Sequence, residues 1–277
     1  MTGLVDVGGG MRGIYGAGVM DYFLERGFRF DYCIGVSSGS ANVASFLSNQ
    51  RGRNLRIYTT HSRDKRFMSV RNWLKDRSYF GLEYLYHTIT NELDPIDYKE
   101  LLATKSELKV VVTNALDGKP YYFTNKDIQQ DNCEVLKASC ALPVICRPVS
   151  IKDTLYFDGG VSDPVPIRKA IADGCDKLVV ILTSPIALIK KPEKTRRLYP
   201  LFLKKYPKII KALGVRHNVY RDSINFLLEL EKAGKAVIIS PTQKSQMSLS
   251  TKKSTVLQSF YNLGYDDAMR KLASVEI

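Results

Sequence analysis

The sequence predicts an α/β fold built on a mostly parallel sheet, and three observations lead there. Apolar runs rich in β-branched residues recur along the chain, short and continuous rather than alternating, as strands covered on both faces are. Helical patterns separate these runs, in the order that strand–helix–strand units require. The chain of 277 residues is 44% hydrophobic and 25% charged, an ordinary globular balance that leaves enough apolar side chains for a sizeable core.

In order, the expected strands are Leu4–Val7, Tyr32–Val36, Leu108–Val112, Leu155–Phe157, Lys177–Thr183 and Ala236–Ser240. The expected helices are Tyr15–Arg26, Ser40–Gln50, Asp97–Ala103, Pro164–Asp173, Tyr220–Ala233 and Ser254–Ala273. Two of them stop beside Gly27 and Gly174, where a residue tolerating a left-handed backbone suits a helix end. The stretch from Gly52 to Asn91 is aromatic and basic, and helical only in parts. No repeat, low-complexity tract or linker divides the chain. A single domain over 1–277 is expected, with 190–233 as a basic helical appendage and 254–273 as a C-terminal helix.

Several classes are excluded at this level. No apolar stretch has the length that spans a bilayer; the best candidate, Leu178–Ile189, is interrupted by Thr183, Ser184 and Pro185. Met1-Thr2-Gly3 runs straight into a strand without the basic and apolar regions of a signal peptide. The five cysteines, at 33, 133, 140, 146 and 175, are odd in number and lack metal or redox spacing. Reduced thiols, a cytoplasmic location that includes the membrane periphery, and no metal or other cofactor are the expectation.

Chemistry concentrates in three places. In "DVGGGMRG" a strand runs into the glycine loop Gly8-Gly9-Gly10-Met11-Arg12-Gly13, and a helix follows. A dinucleotide site would use such a turn, but it also needs an acid at the end of the second strand. Asp31 lies before that strand, and its end carries Ser37 and Ser38. The same loop suits an oxyanion hole, because successive backbone N–H groups at a helix start stabilise developing negative charge. Ser37 is what such a hole would serve. Gly35-Val36-Ser37-Ser38-Gly39 has the G-x-S-x-G form of a sharp strand-to-helix turn that exposes a nucleophile, and Gly35 and Gly39 relieve the crowding around it.

Two residues compete for the role of base. The chain has three histidines, and a Ser–Asp–His triad ending in His217 is formally available. His217, however, sits in a basic helical segment rather than on a loop after a strand; His61 and His87 have no partner pattern and read as surface or packing residues. The stronger candidate is Asp158, at the end of "LYFD" and followed by Gly159 and Gly160. A carboxylate there faces the same sheet edge as Ser37. An Asp-Gly hairpin would look similar, but Pro164 and a helical pattern follow instead of a returning strand.

Together, Gly8–Gly13, Gly35-Val36-Ser37-Ser38-Gly39 and Asp158-Gly159-Gly160 resemble the patatin-like phospholipase family. "KASCALPVICRPV", Lys137–Val149, is similar to the segment that precedes the family's Asp-Gly-Gly strand. The resemblance runs from Leu4 to Thr183. It implies a three-layer fold with the nucleophile elbow after the second strand, a Ser37–Asp158 dyad without histidine, and action on acyl esters of lipids. Two departures stand out: Val7 occupies a position where the family often has an acid, and the C-terminal third carries no matching motif. In this scheme the backbone of Gly9, Gly10 and Met11 holds the oxyanion. Arg12 orients the loop or meets a lipid phosphate, with a salt bridge within the loop as the plainer role.

The net charge of +13 is concentrated. Between Lys190 and Arg216 lie ten basic residues and one acid, Glu193. From Arg196 to Tyr206 the cations alternate with aromatic and aliphatic residues, as on a face that rests on an anionic bilayer; a solvated helix face packed on the domain is the plainer alternative. Lipid, not nucleic acid, is the expected partner. A nucleotide- or phosphate-binding module using Gly8–Gly13 is the rival class, as is a relative without catalysis.

Overall fold

The structure is a computed structural model that describes residues 1–188, 192, 194–242 and 247–273. Eight strands form one sheet: β1 (Thr2–Asp6), β2 (Tyr32–Val36), β3 (Glu107–Asn114), β4 (Pro120–Thr124), β5 (Val149–Ile151), β6 (Thr154–Asp158), β7 (Lys177–Ile181) and β8 (Ala236–Ile239). Their order is β5-β6-β3-β2-β1-β7-β8, with β4 also paired to β3. The run from β3 to β8 is parallel, and β4, β5 and β6 are antiparallel additions at the β3 end. All six expected strands are present. The two unexpected ones, β4 and β5, carry weak signals: β4 opens with Pro120 and leaves Tyr121 exposed, and β5 has only three residues. Such features belong to sheet edges.

Alternate strand residues feed two cores, as a two-residue period dictates. Leu4, Cys33, Leu108 and Val110 pack on one face with the helices Ile14–Glu25, Ser38–Leu47 and Ser254–Leu272. Val5, Ile34, Val36, Val111 and Val180 pack on the other with the helices Ile167–Ala172 and Pro207–Lys232. The result is helix, sheet, helix in three layers. The Pro207–Lys232 helix begins thirteen residues earlier than the expected Tyr220 start. It is tied to the sheet through Tyr220, Ile224 and Leu227, and burying a side chain of this size contributes about 1.5–3 kcal/mol. All five cysteines are free. Among the described residues no helix is long and apolar enough to cross a membrane.

The first and last long helices are in intimate contact. A Cβ on Gly18 would stand 2.1 Å from the carbonyl oxygen of Tyr261, and one on Gly264 would stand 2.1 Å from that of Tyr15. The backbones therefore touch. Tyr15 donates to Asp267 Oδ2 at 2.7 Å and Tyr261 donates to Asp21 Oδ2 at 2.7 Å, so each helix closes one bond onto the other.

One detail of the sheet positions the site. β4 occupies one edge of β3 over Lys109–Thr113, so β2 and β6 share the opposite edge. β2 runs parallel to β3 and ends with Val36 opposite Val111; β6 comes from the other direction and ends with Asp158 opposite Val112. The two strands meet end to end. Ser37 and Asp158, 121 positions apart in sequence, are thereby delivered to the same point.

Candidate active site

Ser37 has φ 56° and ψ −132°, a conformation that costs a non-glycine residue energy and persists only where its surroundings enforce it. They do so here. Ser37 N donates to Ser139 Oγ at 2.9 Å, and Ser139 donates in turn to the carbonyl of Val111 at 2.7 Å, filling the gap on β3 where β2 stops. The Ser37 carbonyl accepts from Ser40 N and Ser40 Oγ. Gly39 lies so near β1 that a Cβ there would stand 2.3 Å from the Asp6 carbonyl oxygen. The helix Ser38–Leu47 begins at the next residue and directs the positive end of its dipole at the elbow.

The glycine loop folds against this elbow. Gly8, Gly9 and Gly10 all have positive φ, at 62°, 134° and 59°. Gly8 N donates to Asp6 Oδ1 at 2.9 Å, Gly9 N to Ser38 Oγ at 3.1 Å, Met11 N to the Leu249 carbonyl at 3.2 Å and Arg12 N to the Gly9 carbonyl at 3.2 Å. Thr183 donates to the Gly8 carbonyl, and Asn42 donates to the Gly13 carbonyl at 2.8 Å. Among the described residues, the N–H groups of Gly10 and Ser38 make no hydrogen bond. The loop thus spends most of its amides on its own scaffold, unlike a cradle for a pyrophosphate. Asp6 is the acid that organises it, one position before the Val7 at which the sequence departs from the family's pattern.

Asp158 is almost wholly buried, at 1% exposure. Its Oδ1 accepts from Gly160 N at 2.7 Å. Its Oδ2 is buried without a hydrogen bond of ordinary geometry among the described residues. Burial pushes the carboxyl up to about 6, against the contrary pull of the Ser37 hydroxyl, the Arg216 charge and Gly160 N. Ser37 is therefore close enough to favour the carboxylate without closing a full hydrogen bond on it. Beyond the carboxylate, Arg216 donates through Nε to the Gly160 carbonyl.

Two cavities meet at Ser37. One is apolar, walled by Ile57, Phe67, Phe80, Leu82, Leu85 and Leu136, and reaches Gly10 and Ser38. The other, of about 370 Å³, holds Asp158, Arg12, Arg216, His217 and Tyr220 and falls in the usual size range of ligand sites. Arg12 Nη1 donates to Ser184 Oγ at 3.3 Å, and its buried Nε has no partner among the described residues. Burial lowers the Arg12 pKa, and the neighbouring Arg216 charge adds to that. His217 lines this cavity but makes no hydrogen bond to Ser37 or Asp158 among the described residues. His61 stands 3.5 Å from Asp94, and His87 pairs with Asn91 at 3.2 Å, both outside the two cavities. Asp6, Ser139, Thr183, Arg216 and Leu249 were not among the residues singled out from sequence. Of these, Asp6 and Ser139 lay in motif-like segments, "DVGGGMRG" and "KASCALP".

Comparison with known proteins identifies the family. A family model described as patatin-like phospholipase matches residues 5–171, and one described as a domain of unknown function, DUF6363, matches residues 206–276. The uncharacterized protein YjjU of Escherichia coli (strain K12) is 30% identical over 200 residues, covering 70% of this chain and 55% of YjjU. Lysophospholipase NTE1 of Cryptococcus neoformans var. neoformans serotype D is 26% identical over 192 residues, covering 65% of this chain and 11% of NTE1. The chain thus spans about half the length of one relative and a small part of the other. Among solved structures, VipD of Legionella pneumophila superposes with a TM-score of 0.48 at 15% identity, over 99% of this chain and 67% of VipD. The first family model covers more than half of the chain and all three glycine-bearing motifs of the site, and the chain belongs to the patatin-like phospholipase family.

Proposed function

We propose that the protein is a serine hydrolase of lipid acyl esters working through a Ser37–Asp158 dyad. The observation that carries this reading is the strained Ser37 turn set beside a buried carboxylate with one oxygen left without an ordinary partner. Ser37 Oγ attacks the ester carbonyl carbon while Asp158 Oδ2 takes its proton. The oxyanion is held by the N–H groups of Gly10 and Ser38, the second being the usual donor after an elbow nucleophile. As the carbonyl–oxygen bond breaks, Asp158 passes the proton to the leaving alcohol. Water then attacks the acyl-enzyme and gives its proton to Asp158; as the bond to Ser37 Oγ breaks, Asp158 returns that proton to Oγ and the fatty acid leaves. A carboxyl lifted by burial to about 6 is a better base than an ordinary aspartate.

The apolar cavity suits the acyl chain and the cavity with Arg12 and Arg216 suits the leaving group. Delivery from a membrane has its own support. Leu198, Leu201 and Phe202 are 53%, 75% and 47% exposed beside Arg196, Arg197, Lys204 and Lys205. Lys190, Lys191 and Glu193 of the basic run lie outside the described residues. Such a face binds anionic lipid through buried apolar side chains and charge together. The triad with His217 is the second reading, favoured only by that residue's place in the cavity wall.

Treating the purified protein with a fluorescent fluorophosphonate tests the dyad. Labelling is expected in the wild type, and in His217→Ala, and is expected to vanish in Ser37→Ala and Asp158→Ala. Unchanged labelling of Ser37→Ala sinks the proposal. Loss in His217→Ala with retention in Asp158→Ala replaces the dyad by the triad. Hydrolysis of lysophospholipid, phospholipid and short-chain ester then identifies the substrate. Sedimentation with anionic but not neutral liposomes, lost in Leu201→Asp/Phe202→Asp, checks the membrane face.

A further inference from the structure

The region that matches a domain of unknown function begins at residue 206, after the three motifs are complete. Its first long helix nevertheless forms a wall of the active site. Residues of this region touch two of the motifs through their main chains. Leu249 accepts the Met11 N–H of the glycine loop at 3.2 Å, and Arg216 donates to the Gly160 carbonyl of the Asp158-Gly159-Gly160 turn.

We propose that the 206–276 region completes the catalytic site, with Arg216 as the positioning residue that holds the Asp158-Gly159-Gly160 turn and directs Asp158 towards Ser37. This rests on the dyad reading given above. Gly160 is held at both ends: its N–H donates to Asp158 Oδ1 at 2.7 Å, and its carbonyl accepts from Arg216 Nε. With Oδ1 fixed in this way, Oδ2 is the oxygen available to Ser37. Gly160 also marks how near the two charges are. A Cβ built on it would lie 3.1 Å from Asp158 Oδ1 and 3.2 Å from Arg216 Nη2. Guanidinium and carboxylate are therefore within roughly 6 Å, a distance at which an opposite charge favours ionisation.

Among the described residues, Arg216 is the group that supplies that charge. Around the carboxylate stand Ser37 from the elbow, Cys140 and Cys146 from the turn after the Glu134–Ser139 helix, and Arg216, while Arg12 and His217 line the same cavity. Burial raises both thiols, Cys146 to about 12, so neither carries charge near neutral pH. Arg216 is the one charged side chain that bears on Asp158 among the described residues. Removing it leaves burial less opposed, and Asp158 then holds its proton to higher pH. An aspartate that is still protonated cannot accept the Ser37 proton, so the acidic limb of the reaction moves upward.

The experiment is the rate of fluorophosphonate labelling of Ser37 in the full chain between about pH 4 and pH 9, for wild type, Arg216→Gln, Arg216→Lys and Asp158→Asn, with melting temperatures measured alongside. Arg216→Gln, which keeps a donor but not the charge, is expected to move the acidic limb up by about one unit. Arg216→Lys keeps the charge and is expected to return the limb to near the wild-type position. Melting temperatures near wild type would accompany both. A limb unmoved in Arg216→Gln, with labelling lost in Asp158→Asn, overturns the role of Arg216 and leaves the dyad standing. Should Arg216→Gln fail to fold, the lysine variant decides: a limb moved as far as one unit there also refutes the proposal. Full labelling of Asp158→Asn overturns the dyad, and the role of Arg216 with it.

Discussion

Asp6 and Asp158 end different strands, each runs into glycine, and both are almost fully buried. Burial pushes each carboxyl up to about 6. What separates them is how their oxygens are used. Asp6 has both engaged, Oδ1 by Gly8 N at 2.9 Å and Oδ2 by Asn42 at 3.0 Å. Asp158 has Oδ1 engaged by Gly160 and Oδ2 without an ordinary partner. The same desolvation thus accompanies a carboxylate with both oxygens engaged at β1 and one with an oxygen left over, the proposed base, at β6. A raised pKa marks both, so the shift alone does not single out the proposed base; the incomplete set of partners is what supports that reading.

The largest expected effect breaks the comparison if it fails. Asp158→Asn is expected to lower ester turnover by about 10³-fold, within the range for a lost general base. Asp6→Asn keeps an acceptor for Gly8 N and is expected to lose at least about ten-fold less. Steady-state hydrolysis of a nitrophenyl ester by the two variants measures this. Equal losses would mean that Asp6 and Asp158 are not distinguished by their partners.

A smaller effect comes from making Asp6 resemble Asp158. Asn42→Ala removes the donor to Oδ2 and also the bond to the Gly13 carbonyl. An orphaned buried polar group costs about 1–3 kcal/mol, and chemical denaturation is expected to register that loss. The midpoint of the acidic limb of turnover should stay where it is, since Asn42 touches Asp6 and not Asp158. A limb that moved would place Asp6 in the chemistry.

The smallest effect concerns stability and pH. The folded protein raises Asp158 from about 4 to about 6, so it favours the protonated form. The contribution to stability is complete below about pH 4 and is lost as pH rises through about 6. Asparagine has no such dependence. Asp158→Asn is therefore expected to gain on the order of 1 kcal/mol over wild type at pH 7, with the gap closing towards pH 4. Denaturant titrations at the two pH values measure it, and a gap independent of pH would mean that burial does not penalise this carboxylate. Stability gained where activity is lost is the trade-off expected of a working group.

Much of this was legible in the sequence because it is local. The turn around Ser37, the glycine loop and the Asp-Gly-Gly stop each announce themselves within six residues, and the buried strands of the parallel run announce themselves by continuous β-branched residues. What escaped is what depends on pairing across the chain. Nothing in "LYFD" says that β6 shares an edge of β3 with β2, yet this is what brings Asp158 to Ser37. Arg216 is one of ten cations in a basic run and looks like the others; only the path of the Pro207–Lys232 helix over the sheet singles it out. Asp6 reads as the last residue of a strand, and its work on the loop follows from a fold in which Gly8 and Asn42 approach it together.

The interlock of the Ile14–Glu25 and Ser254–Leu272 helices has a consequence for synthesis. The bond from Tyr15 to Asp267 joins residues 252 positions apart. Until the chain beyond Gly264 has emerged from the ribosome, the Ile14–Glu25 helix lacks this cover for Tyr15, Gly18 and Tyr22. At about 5–20 residues per second, that interval lasts roughly ten seconds to a minute. Over that time an apolar helix face waits in the cell for its partner. A chain stalled or cut near residue 250 would carry Ser37, Asp158 and the glycine loop, and still present an adhesive surface to its neighbours.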